Sequence, residues 1–125
     1  MKLFSILLHT NFRARARKTF RRYRELKPQA IAVLEALREG PGSGHARVRY
    51  LRDPLAQGNV WRARVGRHRM IYRIYGQRGD IVSLFLSDRP RNEVTYQDWE
   101  AIGDRIMDDY EEGYLEEFII WRGEL

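Results

Sequence analysis

Apolar and charged side chains alternate through residues 60–75, which is the pattern of a β-hairpin with one buried and one exposed face. The apolar set is Trp61, Ala63, Val65, Met70, Tyr72 and Ile74. The charged set is Arg62, Arg64, Arg69 and Arg73. A strand turns successive side chains to opposite faces, so the pattern places four guanidinium groups on one surface. Like charges crowded on one surface repel each other unless an anion joins them, and the anion that we expect is a phosphate backbone.

The rest of the chain adds helices before this hairpin and one strand after it. Residues 2–9 predict a short buried strand, and residues 11–39 predict a helical hairpin whose second helix starts at Pro28. Residues 46–51 indicate a further strand. The continuous apolar run 81–86 is typical of a central strand that is buried on both faces.

The C-terminal part of the chain combines a predicted helix with a segment of undecided structure. Residues 97–112 have helical spacing, whereas the apolar run 114–121 is compatible with either type of element. The order of elements predicts an α+β fold, an antiparallel sheet of about four to five strands under an N-terminal helical hairpin. We expect a domain at residues 1–97 and an acidic helical extension at residues 98–125, which packs on the same domain or on a partner.

The amino-acid composition argues against several classes of function. The 125 residues include no cysteine and three histidines, which argues against disulfides and against a thiol or histidine metal site. We expect no cofactor. No stretch is long and apolar enough to cross a membrane, so we expect a cytoplasmic protein.

The net charge of +6 hides a strong asymmetry. Residues 97–125 hold two of the 23 Lys and Arg residues and ten of the 17 Asp and Glu residues, so this segment carries −8 and the remainder +14. A basic body favours a polyanionic partner. The acidic segment is open to three interpretations: a solvated helix, a cover that folds back over the arginines, or a contact between two copies of the chain.

Two motifs make the chain resemble the RelE/ParE superfamily of small bacterial and archaeal toxins. The first is Trp61-Arg-x-Arg-Val-Gly-x-x-Arg69-x-x-Tyr72, and the second is Asp88-Arg89-x-Arg91-x-Glu93-Val94-x-Tyr96. The second motif resembles the RelE-like branch, whose members cleave ribosome-bound mRNA by attack of a 2′-hydroxyl on the adjacent phosphate. The resemblance also implies a cognate antitoxin protein as partner.

The resemblance assigns roles to individual residues of this chain. It implies a catalytic set of Arg62, Arg64, Arg69, Arg89 and Tyr96, with His68 and Arg91 as additional candidates. The predicted contacts with the RNA backbone are Arg17, Lys18, Arg21 and Arg73. Strand alternation, however, places His68 on the face opposite Arg69.

Two departures from the RelE-like pattern keep other functions open. Arg62 and Arg64 stand where the family often has lysine, and arginine cannot serve as a general base because it stays protonated. Thr95 lengthens the spacing before Tyr96 by one residue. The alternatives are a ParE-like inhibitor of DNA gyrase that performs no chemistry, and an RNA-binding relative with weak or no catalysis.

Overall fold

A computed structural model describes residues 3–40, 46–47, 60–87 and 96–125. Its helices are α1 (Thr10–Arg22), α2 (Leu26–Glu39) and α3 (Tyr96–Glu111). Its strands are β1 (Ser5–His9), β2 (Ala46–Arg47), β3 (Val60–Val65), β4 (His68–Tyr75), β5 (Asp80–Leu86) and β6 (Phe118–Ile120). A short 3₁₀ helix, Leu115–Glu117, precedes β6. No helix within the described residues is long and apolar enough to cross a membrane.

The strands form one mixed sheet. Among the described residues its order is β2-β3-β4-β5-β1-β6, and every neighbouring pair is antiparallel except β1 with β5, which is parallel. The α+β class and the mainly antiparallel sheet agree with the sequence prediction. The parallel pair and the sixth strand were not predicted. Of the strand expected at residues 46–51, only Ala46–Arg47 falls inside the described residues.

The predicted helical hairpin is confirmed, and it packs against one face of the sheet. Its buried residues are Phe12, Ala16, Phe20, Leu26, Ala30, Leu34 and Leu37, spaced by three, four or six positions. The helix α1 is capped by His9, whose Nδ1 accepts the backbone N–H of Asn11 at 2.9 Å. The helix α2 starts at Leu26 rather than at Pro28, so the proline lies in the first turn, where its missing N–H has no intrahelical role.

The strand β5 is the central strand that the sequence predicted. Residues 81–86 are all buried. The strands β4 and β1 flank β5 within the sheet, and both α1 and α3 contact it. A strand enclosed in this way needs apolar side chains on both faces, which explains why residues 81–86 do not alternate between apolar and polar positions.

The C-terminal elements return to the sheet from the side opposite the helical hairpin. The His9 Nε2 atom lies 2.7 Å from the Asp109 carboxylate of α3, and the Tyr110 hydroxyl donates to Asp80 at the start of β5 at 2.6 Å. The strand β6 then pairs with β1 through residues 118–120. The predicted C-terminal helix is therefore confirmed, and the undecided segment forms the 3₁₀ helix and an edge strand.

Candidate nucleic-acid interface

The pairing of β3 with β4 decides which arginines share a surface. Arg64 is directly opposite Arg69, Arg62 is opposite Ile71, and Val60 is opposite Arg73. Directly paired residues point to the same side of a sheet, so all four arginines project from one face. Arg62 and Arg64 are exposed, and Arg69 is half-buried. We call these three residues the arginine face.

The hairpin turn holds the two strands in this register. Gly66 and Arg67 connect Val65 to His68, and Gly66 has a φ of +59°. A positive φ at the first turn residue and not at the second matches a type II′ turn, whose twist suits a two-residue hairpin. A one-residue slip would move the arginines to the buried face, so this turn maintains the arginine face.

Arg69 is further fixed by the residue that follows β5. Its backbone N–H donates to the Ser87 hydroxyl at 3.0 Å, and the Ser87 N–H donates to the Arg69 carbonyl at 3.0 Å. Ser87 is fully buried, so both contacts are shielded from water. Sequence reasoning did not identify Ser87, because nothing in its neighbourhood predicted a contact with residue 69.

His68 lies on the other side of the sheet from the arginine face, as strand alternation predicted. Its side chain is buried, and its Nδ1–H donates to the Ser87 carbonyl at 2.8 Å. Its ring packs edge-on against Tyr23 at 4.6 Å between centroids. The imidazole is therefore held between the sheet and the helical hairpin, away from the exposed guanidinium groups.

Arg73 lies on the same side of the sheet as the arginine face, but its side chain is buried. It is 8% exposed and lies beneath α3. Its Nη1 atom is 3.5 Å from the Met107 sulfur and 3.9 Å from the Glu111 carboxylate. Its guanidinium carbon lies 4.4 Å from the Tyr75 ring centroid, which is cation–π geometry. The sequence prediction that Arg73 contacts RNA treated this side as open, whereas α3 covers it.

The cations of α1 form a separate surface. Arg17, Lys18 and Arg21 are exposed on a helix that packs against the sheet side opposite the arginine face.

The remaining predicted residues follow β5. Arg89 and Arg91 lie outside the described residues, and Tyr96 begins α3 with a side chain that the structure does not describe. Ser87, the last described residue before this segment, is the residue hydrogen-bonded to Arg69. Within the described ranges no group of histidine, aspartate and glutamate side chains is placed to hold a metal.

The site as described is thus a cationic surface on a rigid hairpin. Three guanidinium groups offer many hydrogen-bond donors and no acceptor. Such a surface suits planar, bidentate recognition of phosphate oxygens, for which arginine is better adapted than lysine. It can bind and stabilise negative charge, but it cannot accept a proton.

Comparison with known protein families agrees with this fold. The family described as "ParE toxin of type II toxin-antitoxin system, parDE" matches residues 6–90, which include the helical hairpin and strands β3 to β5. No curated protein and no solved structure gave a significant match. The match covers well over half of the 125 residues and includes the whole arginine face. The chain therefore belongs to the ParE toxin family of type II toxin–antitoxin systems, within the RelE/ParE superfamily.

Proposed function

We propose that this toxin binds mRNA on the ribosome through the arginine face and cleaves it. The observation that carries the proposal is the direct opposition of Arg64 and Arg69, with Arg62 exposed beside them. Like charges directly opposite each other destabilise a sheet. An anionic ligand bound across the two strands would offset that repulsion.

The proposed reaction is an internal transfer at one phosphate of the RNA. The 2′-oxygen attacks the adjacent phosphorus, the bond to the 5′-oxygen breaks, and the products carry a 2′,3′-cyclic phosphate and a 5′-hydroxyl. Negative charge builds up on the phosphate oxygens in the transition state. Positively charged donors held ready on a rigid hairpin stabilise that charge, which is usually the largest catalytic term in such sites.

Proton transfer needs residues outside the arginine face. By resemblance to the RelE-like nucleases, Arg89 holds the same phosphate and Tyr96 is the candidate for exchanging protons with the reacting oxygens. His68 is not proposed for this role, because it lies on the opposite side of the sheet.

The same surface also suits control by an antitoxin. Membership of the family implies a cognate antitoxin protein. We propose that the antitoxin lays acidic or apolar side chains over the arginine face and so excludes RNA.

With the ribosome as its target, the toxin acts in the cytoplasm.

A second function, inhibition of DNA gyrase without chemistry, is favoured by two observations. The matching family is described by its ParE members. In addition, His9 and His68 are both engaged elsewhere in the fold, which leaves the arginine face without an imidazole from either residue. In this alternative the arginines bind the target protein or its DNA.

The two functions separate in paired assays with the purified protein. A translating extract that contains a defined mRNA reports cleavage and the cyclic-phosphate end, and purified gyrase reports supercoiling. The test variant is Arg62→Gln with Arg64→Gln, and the control is Arg67→Gln, an exposed arginine in the hairpin turn. We expect cleavage by the wild type and the control, and a loss of about 100-fold in the double variant, as for removal of transition-state donors.

Two other outcomes would contradict the proposal. Inhibition of supercoiling without any cleavage of mRNA would establish the gyrase alternative. Binding of RNA that depends on Arg62 and Arg64 but gives no cyclic phosphate would make the protein a binding relative rather than a nuclease.

A further inference from the structure

The strand β6 leaves one edge of the sheet unpaired within the described part of the chain. The Trp121 N–H donates inward to the Ile6 carbonyl at 2.8 Å, and Ile119 pairs with Leu8. Backbone groups alternate in direction along an antiparallel strand, so the N–H and carbonyl of Ile120 and the carbonyl of Phe118 point outward, whereas the Phe118 N–H donates to the Leu115 carbonyl of the 3₁₀ helix. An edge of this kind is a template for another strand.

Large apolar side chains are exposed around this same edge. Leu115 is 61% exposed, Ile120 50% and Ile119 40%, with Tyr114 and Leu3 at 49% each. Leu3 and Ile120 also line one cleft beside β6. Four of these five residues lie between Tyr114 and Ile120, and exposed large apolar side chains concentrated around one strand indicate a contact surface.

The charges that flank β6 favour one particular occupant. Glu116 and Glu117 precede the strand, and Arg122 follows it. When the strand pairs antiparallel with a copy of itself centred on Ile119, Phe118 of each copy faces Ile120 of the other. Glu116 and Glu117 belong to the 3₁₀ helix that leads into β6, so this pairing places the acidic end of the strand in one copy beside the end followed by Arg122 in the other, and opposite charges approach at both ends.

We propose that β6 is the contact through which two copies of this chain form a symmetric dimer with one continuous sheet. A two-fold axis pairs the Ile120 N–H of each copy with the Phe118 carbonyl of the other. It also places Ile119 against Ile119, and Ile120 against Phe118, of the second copy. A parallel arrangement would instead set glutamates against glutamates. The dimer is independent of the toxin's target, since the arginine face lies on strands β3 and β4.

The test is a charge-swap series measured by sedimentation equilibrium from low to high micromolar protein. The wild type should shift from the 14.9 kDa monomer toward twice that mass as the concentration rises. Arg122→Glu should weaken the dimer by about ten-fold, because each of the two symmetric contacts becomes repulsive. The double variant Glu116→Arg with Arg122→Glu should restore it. Arg67→Glu, which makes the same change in net charge at the remote hairpin turn, should leave the dimer unchanged.

Hydrogen exchange identifies the strand that pairs. The amides of Phe118, Ile119 and Trp121 should be protected at every concentration, because each is hydrogen-bonded within the chain, whereas that of Ile120 should gain protection only as the dimer forms. A wild type that stays monomeric throughout, a double variant that does not recover, or an Ile120 amide that exchanges equally fast at all concentrations would each overturn the proposal.

Discussion

At the scale of single residues, the arginine face brings cationic side chains together at a cost in electrostatic free energy, and the fold holds them in this arrangement. Arg64 and Arg69 sit directly opposite each other, and like charges in that position destabilise a strand pair. The register is nevertheless held by the Gly66 turn and by the two hydrogen bonds between Arg69 and Ser87. Residues kept in unfavourable proximity by a rigid frame are expected at a binding site.

Gly66 provides a direct test of that frame. A side chain at this position would have a strained positive φ, and its Cβ would lie 2.7 Å from the Gln29 Oε1 atom and 3.0 Å from Leu26 Cδ2. Gly66→Ala should therefore lower the free energy of unfolding by about 1–3 kcal/mol, measured by urea denaturation.

The matched control for this change is Gly76→Ala. A Cβ at Gly76 has no heavy atom within 4 Å, and its φ is not positive. It should stay within about 0.5 kcal/mol of the wild type, as most surface substitutions do. Equal effects of the two alanines would show that the hairpin turn is not constrained as the structure implies.

At the scale of elements, local patterns predicted most of the fold. Strict alternation gave the bounds of β3 and β4 and the side of each arginine, because side-chain direction in a strand depends only on residue parity. The run 81–86 was recognised as a buried central strand for a similar reason. Three- and four-residue spacing predicted α1, α2 and α3, although Pro28 misplaced the start of α2 by two residues.

What the sequence could not provide is the packing between distant segments. Arg73 is buried because Met107 and Glu111 of α3 lie against it. The hydrophobic spacing within a segment does not show which helix covers a given part of the sheet. The parallel pairing of β1 with β5 likewise joins segments more than 70 residues apart. The run 114–121 was ambiguous because it is too short to establish a period.

The attachment of α3 to the sheet gives a prediction about alkaline pH. Burial, and then the hydrogen bond to Asp80, raise the pKa of Tyr110 from 10.0 to about 12. The folded state therefore keeps this proton at pH values where the unfolded chain has released it, so stability falls as the pH rises from 10 toward 12. Below pH 10 the contribution of the neutral tyrosine is fully present.

Tyr110→Phe isolates this effect. It removes the hydrogen bond and should lower the free energy of unfolding near neutral pH by about 1 kcal/mol. Between pH 10 and 12 its stability should fall less steeply than that of the wild type, because the titrating group is absent. Parallel curves in urea denaturation across this range would contradict the role given to Tyr110.

At the scale of the whole molecule, cations lie on both sides of the sheet, and the acidic segment lies on one. The helix α1 carries Arg17, Lys18 and Arg21 over one side. On the other side, α3 places Glu111 near Arg73 and Asp109 within hydrogen-bond distance of His9. Arg62 and Arg64 stay exposed. Among the described residues, the acidic extension thus contacts the sheet through α3 and covers Arg73.

The packing of α3 on the sheet predicts how removal of the acidic extension affects stability. Ile106, Met107 and Tyr110 of α3 are buried, so removal of the extension would expose the side of the sheet that they cover. Loss of the extension should therefore destabilise the protein rather than release an inhibited nuclease.

The most direct test of the central claim is the salt dependence of RNA binding. Fluorescence anisotropy with a short single-stranded RNA, measured across a salt series, reports how many phosphates the protein neutralises. Removal of one arginine that binds a phosphate should reduce the slope of log affinity against log salt by about 0.7, so the triple variant Arg62→Gln, Arg64→Gln, Arg69→Gln should reduce the wild-type slope by about 2. Arg67→Gln should keep the wild-type slope. A triple variant that binds RNA with the slope and affinity of the wild type would contradict the assignment of the arginine face as the nucleic-acid site.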